Sequence, residues 1–308
     1  MKTKAASQFL ERIVVERLRG YLQVVEEQWP VLLEPGSNVP IHEQRKAINR
    51  MRSMRRILKD AGLADELQEP IKQLRSWQRL LSPARDLDVT MDWIETLASR
   101  TKSKKAKKGS AMMLERLREK RRGVVEVLAE ALDRNMGEET RAAIKELTAW
   151  AEVRPSSSGT SNGHLGSRSQ LDLERALVGA FHDKWLERRA VAARQMTGEN
   201  LHDFRKTNKR LRDAAGFLRD HVEDSWGAVY DALDDIHDAI GAMNDLRVLR
   251  AEILSERARH KPGGKKDKRL ASLQKEGDRL FLSLSDDMLE CWHTIHGGAI
   301  ESRLALEP

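Results

Sequence analysis

The chain contains a single cysteine, Cys291, and few aromatic residues. One cysteine excludes an intrachain disulfide and a metal site built from several cysteines, and it fits a reducing compartment. No apolar run approaches the length that crosses a membrane, and the first residues lack the apolar core of a signal peptide. The sequence therefore predicts a cytoplasmic protein without a membrane segment.

Aromatic residues make up only 5% of the chain, whereas charged residues make up 33%. Alanine, leucine, glutamate, lysine and arginine dominate, which is typical of long amphipathic helices and predicts an all-α protein. The apolar periodicity predicts eight helices. We place them at about 4–29, 39–60, 64–100, 110–152, 169–196, 199–220, 223–258 and 267–294.

An internal repeat divides the chain into two halves. The segment from Ile41 to Arg52 recurs from Leu201 to Arg212, with His, Arg, Lys, Arg and Arg at matching positions. A second match follows, in which LSPARDLDV at 81–89 aligns with IGAMNDLRV at 240–248. The Ser-, Gly- and Pro-rich residues 154–169 read as a linker. We therefore predict halves at 1–153 and 170–308, each a four-helix unit.

Positive charge is concentrated in the two repeated helices. The segment from His42 to Lys59 contains seven Arg or Lys residues and one acidic residue. The segment from His202 to Arg219 contains six Arg or Lys residues and two acidic residues. The formal net charge of the whole chain is only +7. This surplus favours a localised anion site over a diffuse solubility charge.

Helical spacing places these cations on one face of each helix. We expect Pro40 at the first helical position and Asn200 as the cap of the second helix. Apolar residues lie on the opposite face of each helix. They are Ala47, Ile48, Met51, Met54 and Leu58 in the first copy and Phe204, Leu211, Ala214, Ala215 and Leu218 in the second. The predicted anion-binding residues are His42, Arg45, Lys46, Arg50, Arg52 and Arg56, and His202, Arg205, Lys206, Lys209, Arg210 and Arg212.

A row of like charges destabilises a helix unless an anion neutralises it. Acids from neighbouring helices are one possible source of neutralisation. A repeating oxyanion is the other, since guanidinium groups bind phosphate oxygens in pairs and lysines add point charges. Histidine beside phosphate gains a proton and a second donor.

The pattern His-x-x-Arg followed by (Arg/Lys)-Arg-x-Arg, present twice with a downstream (Arg/Asn)-Asp-Leu element, resembles the CHAD family, the conserved histidine α-helical domain. The resemblance covers nearly the whole chain. It implies two antiparallel four-helix bundles related by a pseudo-twofold axis, with the basic helices facing a central groove or pore that binds inorganic polyphosphate. It also implies association with polyphosphate granules and their proteins.

Three residues of the downstream element have open roles. Asp86 and Asp245 are either partners that orient a cation or helix-packing residues, and Arg85 is a candidate to reach the groove. The basic segments 102–109 and 260–269 are either solvated hairpin tips or mobile cationic arms that extend an anion-binding surface. The tryptophans Trp77, Trp93, Trp185 and Trp226 read as packing residues.

The residues favour a binder over an enzyme. The basic faces carry no carboxylate cluster for a metal, and the chain has no Walker-type GKS or GKT loop. We expect no catalytic residue, no metal and no cofactor. Nucleic acid is expected only as a non-specific competitor, because base recognition usually adds aromatic stacking platforms. Phosphate-backbone binding of RNA or DNA and a helical protein-interaction scaffold remain the alternatives.

Overall fold

The computed structural model describes residues 4–34, 38–60, 65–154, 174–221 and 226–296. Within these ranges it does not describe the side chains of 4–7, 56–60, 135, 175–176, 180, 221 and 287–296. These residues form nine α-helices and no strand. A single π-helical turn, Arg175–Gly179, precedes the sixth helix. The helices are α1 Lys4–Gln28, α2 Val39–Asp60, α3 Gln68–Arg100, α4 Lys104–Asp133, α5 Asn135–Glu152, α6 Ala180–Arg194, α7 Gly198–His221, α8 Gly227–Arg257 and α9 Lys265–His296.

The all-α prediction is confirmed, and most helices begin and end within a few residues of the predicted bounds. The predicted helix 110–152 is wrong, because the chain leaves the helical conformation at Arg134, whose φ and ψ are −94° and −165°. Gly137 permits this break. A Cβ atom there would lie 2.3 Å from the carbonyl oxygen of Leu132, so no other residue fits without a backbone shift.

Two starting points of helices also differ from the prediction. The α7 helix begins at Gly198, and Thr197 rather than Asn200 caps it, since its hydroxyl accepts the Asn200 N–H at 3.2 Å. The α4 helix begins at Lys104, inside the predicted break at 102–109, because the Ser103 hydroxyl accepts the Ala106 N–H at 3.2 Å. Sequence periodicity alone located neither cap.

The described residues group into two compact units. The first takes the residues up to Ser82 and those from Leu128 to Asp234, and the second takes Pro83–Val127 and the residues from Asp235 onwards. Each unit combines parts of both halves of the sequence. The arrangement as two bundles divided at 154–169 stays a prediction, and residues 155–169 of that linker lie outside the described part of the chain.

Each unit has an apolar interior of its own. In the first unit the described back faces of α2 and α7 are buried as predicted, with Ile48, Met51, Phe204 and Leu211 at most 1% exposed, while the side chain of Leu58 lies outside the described residues. The predicted packing role of Trp77, Trp185 and Trp226 is confirmed. The core of the second unit consists of Leu87, Ile94, Leu97, Met113, Leu117, Leu246, Leu249, Ile253, Leu270 and Leu273. No helix in the described ranges is long and apolar enough to span a membrane.

Candidate anion-binding site

A buried amide fixes the back of each basic helix. On α2, Gln44 accepts the indole N–H of Trp77 at 2.9 Å and donates to the carbonyl of Val25 at 3.2 Å. Both neighbouring helices, α1 and α3, are thereby tied to α2. The buried polar groups are satisfied, so the helix is held in one rotational setting, with its charged face turned away from the core.

The α7 helix uses the same device at a different position of the repeat. Asn208 accepts the indole N–H of Trp185 at 2.9 Å and donates to the carbonyl of Leu233 at 2.7 Å. These bonds tie α7 to α6 and α8. Asn208 aligns with Ile48 and not with Gln44, so comparison of the two copies could not have found this pair of amides.

A direct hydrogen bond joins the two basic helices. The hydroxyl of Ser53 on α2 donates to a carboxylate oxygen of Asp213 on α7 at 2.5 Å. Both residues lie in the first unit. The contact brings together the ends of two motifs that are 160 residues apart in the chain. The repeated helices are therefore in contact at this point, and the groove or pore between them stays a prediction.

Cations from both motifs surround Lys209. Burial lowers the pKa of Lys209, and the positive charges of Arg212, Arg52 and Arg205 lower it further, whereas Asp213 opposes the shift. Arg52 comes from α2 and the other cations from α7. We call these four cations, Arg52, Arg205, Lys209 and Arg212, the interhelical cluster. Burial is the largest cause of the lowered pKa of Lys209, and the three arginines of the cluster add to it.

Gln78 of α3 orients two of the α2 arginines. Its side-chain oxygen accepts from Arg52 at 3.0 Å, and its backbone carbonyl accepts from Arg45 at 3.2 Å. The Gln78 side-chain amide donates in turn to the backbone carbonyl of Arg45 at 3.1 Å, and Arg45 also donates to the hydroxyl of Ser82. Gln78 is 6% exposed, so the Arg52 guanidinium is anchored on a buried side chain and that of Arg45 on the backbone of the same residue. Nothing in the repeat marks Gln78, so the sequence did not predict its role.

On α7, two carboxylates bind the guanidinium group of Arg212. Arg212 donates to Asp234 at 2.8 Å and to Asp213 at 3.3 Å. Burial works against the Arg212 charge, but these two carboxylates more than offset it, so the pKa of Arg212 is raised. Neutralisation by acids from the protein, one of the two sources considered from the sequence, thus operates at this arginine.

The other predicted cations lie outside the interhelical cluster. His42 and Lys46 each lie 3.7 Å from Glu43. Lys206 donates to Asp203 at 3.2 Å, and this bond lowers the pKa of Asp203. The guanidinium of Arg50 lies over the ring of Tyr21 at 5.7 Å. His202 is exposed and Arg210 half-buried, and the side chain of Arg56 lies outside the described residues.

The downstream element belongs to the second unit. The leucines that follow Asp86 and Asp245 are core residues there, Leu87 at 7% and Leu246 at 3% exposure. Asp86 itself is exposed. The two leucines therefore pack in the core, and the roles of Arg85, Asp86 and Asp245 stay predictions. Within the described residues no group of three or more His, Cys, Asp or Glu is placed to hold a metal ion.

The fold and the site define an all-helical protein with two basic helices in contact. The model of one family, the CHAD domain, matches residues 16–254, so the chain belongs to the CHAD domain family. No curated protein matches the chain.

Two solved structures are similar in fold. The crystal structure of the CHAD domain from the plant Ricinus communis aligns over 92% of this chain and 91% of its own, with 20% identity and a TM-score of 0.61. PptA from Streptomyces chartreusis aligns over 93% of this chain and 99% of its own, with 13% identity and a TM-score of 0.64.

Proposed function

We propose that this CHAD domain protein binds inorganic polyphosphate at the interhelical cluster and does not cleave it. One observation carries the proposal. The contact between Ser53 and Asp213 joins α2 to α7, so that cations from both copies of the motif meet around one lysine. A chain of phosphates, each with its own negative charge, is the ligand that such a two-sided set of cations fits.

The chemistry of the cluster favours phosphate over a single carboxylate. Arginine presents a planar fork of donors that binds two phosphate oxygens at once, and Gln78 already holds the Arg52 fork in place. The Lys209 charge is disfavoured in the free protein by burial and by its cationic neighbours. An anion that enters the cluster stabilises that charge, so part of the binding energy comes from relief of this repulsion.

Polyphosphate fits the surroundings better than a nucleic acid does. Sequence-tolerant binding of single strands uses aromatic rings on which bases stack. Trp77 and Trp185 are fully buried, and their indole N–H groups are engaged by the amides that hold α2 and α7. They are not available to a base. We propose association with cytoplasmic polyphosphate granules and their proteins as the cellular setting, with nucleic acid as a non-specific competitor.

The direct test is a calorimetric titration of the full chain with long-chain polyphosphate and with RNA of the same phosphate content. We expect polyphosphate to bind more tightly. The triple variant Arg52→Gln/Arg205→Gln/Lys209→Gln should lose at least about a hundredfold in affinity, since a hydrogen bond to a charged group contributes about 1.5–3 kcal/mol. Polyphosphate chain length, measured before and after incubation, should not change.

A matched control removes the same charges elsewhere. The variant Lys72→Gln/Arg118→Gln/Arg279→Gln also loses one lysine and two arginines, whose side chains are 69%, 59% and 62% exposed. It should bind polyphosphate nearly as the unmodified chain does. Equal losses in both triple variants, or RNA that binds as tightly as polyphosphate and is lost in the same cluster variant, would refute the proposed site. Circular dichroism confirms that each variant is folded.

A further inference from the structure

A second cationic surface lies on the second unit, at the start of α4 and of α9. We call it the lysine patch, and every one of its members is exposed. It consists of Lys102, Lys104, Lys105, Lys107, Lys108, Lys261, Lys265, Lys266 and Lys268. No motif cation of α2 or α7 belongs to it. The patch is therefore a charged surface that the proposed polyphosphate site does not explain.

The two helix starts that carry these lysines are in contact. The hydroxyls of Ser103 and Ser272 lie 3.0 Å apart. At Gly109 the backbones come so close that a Cβ atom would lie 2.6 Å from the carbonyl oxygen of Arg269. Buried Ala106, Gly109 and Ser110 face this contact side of α4, while its lysines take the opposite side. The close approach gathers two lysine segments into one continuous surface.

The patch is unfavourable in the free protein. Lysines in the first turn of a helix oppose the positive end of the helix dipole, and α4 has no acid in its first turn. Lys104 also repels Lys107 and Lys108 across one turn. Elsewhere the chain pairs such cations, as Lys72 does with Glu69 at 3.2 Å. No ion pair joins a lysine of the patch to an acid in the part of the chain that the structure describes.

The single acid within the patch is already used. Asp267 accepts from Arg257 at 2.8 Å and from the backbone N–H of Gly263 at 2.8 Å. The bond from Arg257, followed by that from Gly263, lowers the pKa of Asp267. Its charge serves to close the turn between α8 and α9, where Gly263 has a φ of +70°. The surface therefore keeps a large positive excess.

We propose that the lysine patch binds the phosphate backbone of duplex nucleic acid without reading its sequence. Lysines suit this ligand because they act as mobile point charges that follow a dense array of phosphates. The segments 102–108 and 261–268 contain no aromatic residue, so they offer no ring on which the bases of a single strand could stack. Their apolar content is too low for insertion into a lipid surface. A rigid double row of phosphates needs neither feature.

The test measures binding of the full chain to a short fluorescent DNA duplex and to a second duplex of unrelated sequence. Both should bind alike. Affinity should fall steeply with salt, with a log-log slope of about −0.9 for each phosphate contacted. The variant Lys104→Gln/Lys105→Gln/Lys107→Gln/Lys108→Gln should lose at least tenfold in duplex affinity and keep its polyphosphate affinity. It should also unfold at a higher temperature, because a row of repelling charges has been removed.

Two comparison variants make the result decisive. Replacement of the same four lysines by arginine should restore duplex binding. The variant Lys72→Gln/Lys145→Gln/Lys184→Gln/Lys275→Gln removes the same net charge from exposed positions outside the patch, on four helices other than α4, and should retain duplex binding. Equal losses in the two glutamine variants would reduce the effect to net charge and overturn the proposal.

Three further outcomes would also overturn it. The first is that the Arg52→Gln/Arg205→Gln/Lys209→Gln variant loses duplex binding and the patch variant retains it, which would assign the duplex to the interhelical cluster. Another is a patch that binds polyphosphate, or vesicles of anionic lipid, in preference to the duplex. The third is failure to bind any duplex at physiological salt. None of these depends on the polyphosphate assignment, because the two sites are removed by different variants.

Discussion

The interhelical cluster and the lysine patch present positive charge in opposite ways. In the cluster, Arg52 is anchored by Gln78, Arg212 by two carboxylates, and Lys209 is buried deeply enough to lower its pKa. In the patch every lysine is exposed. Fixed guanidinium groups lose little further freedom on binding, whereas exposed lysines must lose theirs. One surface is therefore shaped for a particular anion geometry and the other for charge density alone.

The same contrast applies to stability. Gln78 holds Arg52 and two carboxylates hold Arg212, so removing either arginine leaves its partners without that bond. No ion pair within the described residues compensates the patch, so removing a cation there removes repulsion. Four substitutions test this contrast, beginning with the one of largest expected effect.

Replacing Arg212 by methionine should destabilise the protein by about 2 kcal/mol, less than the 3–5 kcal/mol of a fully buried pair. Arg212 is 18% exposed, and its loss leaves the carboxylate of Asp234 without this donor. Urea unfolding measures the change. The same measurement on Lys107→Gln should give no loss or a slight gain. Equal destabilisation by both substitutions would break the contrast between the two surfaces.

Replacing Gly109 by alanine should destabilise the second unit by about 1–2 kcal/mol, since overpacking costs about 1–3 kcal/mol and alanine recovers part of it as a better helix former. The clash is with the backbone carbonyl of Arg269, so a helix must shift. At Gly123 on the same helix, an added Cβ atom would meet nothing within 4 Å. There the same change should stabilise by about 0.4–1 kcal/mol. Thermal unfolding of both variants checks the opposite signs.

Replacing Asp213 by asparagine should strengthen polyphosphate binding severalfold and lower stability by about 1 kcal/mol. Asparagine retains the hydrogen-bonding capacity opposite Ser53 but removes the negative charge that favours Lys209 and Arg212 in the free protein. Calorimetry and urea unfolding give the two quantities. Asp183, with a side chain 96% exposed, is the control site for the same substitution. Weaker binding by the Asp213→Asn variant would show that the hydrogen bond from Ser53 to the Asp213 carboxylate contributes more to polyphosphate binding than removal of the negative charge does.

The pH dependence of stability should report the lowered pKa of Lys209. Between this pKa and the ordinary 10.5, the unfolded chain binds more protons than the folded one. The Lys209 contribution to stability therefore rises as pH increases through that window. Lys209→Met should lose this rise, and Lys72→Met should keep it. Saturating polyphosphate should reduce the rise as well, because bound anion returns the pKa towards its ordinary value.

Apolar periodicity predicted most of the helices correctly. The back faces of α2 and α7 and the packing tryptophans were readable because burial follows local spacing. The break at Arg134 and the caps Thr197 and Ser103 were missed. Each depends on one or two hydrogen bonds or on a close backbone approach, and these features leave almost no trace in a pattern of apolar and polar residues.

The candidate site was predictable in its cations and not in its partners. The repeat identified Arg52, Arg205, Lys209 and Arg212, which the structure brings together. It did not identify Gln44, Asn208, Gln78 or Asp234, which hold the helices and the guanidinium groups in place. Gln44 and Asn208 do similar work from positions that do not align, so symmetry of the sequence was no guide to them.

The charged faces of the helices follow from the sequence, because side-chain direction on a helix depends on residue spacing. The sequence also determined family membership through a motif present twice. Only the tertiary structure decided which cations share a cluster, which are held by a protein partner and which remain exposed. Those outcomes depend on contacts such as Ser53 with Asp213 and Gly109 with Arg269, whose members are separated by 160 residues in each case. Packing brings such residues together, and local spacing carries no information about it.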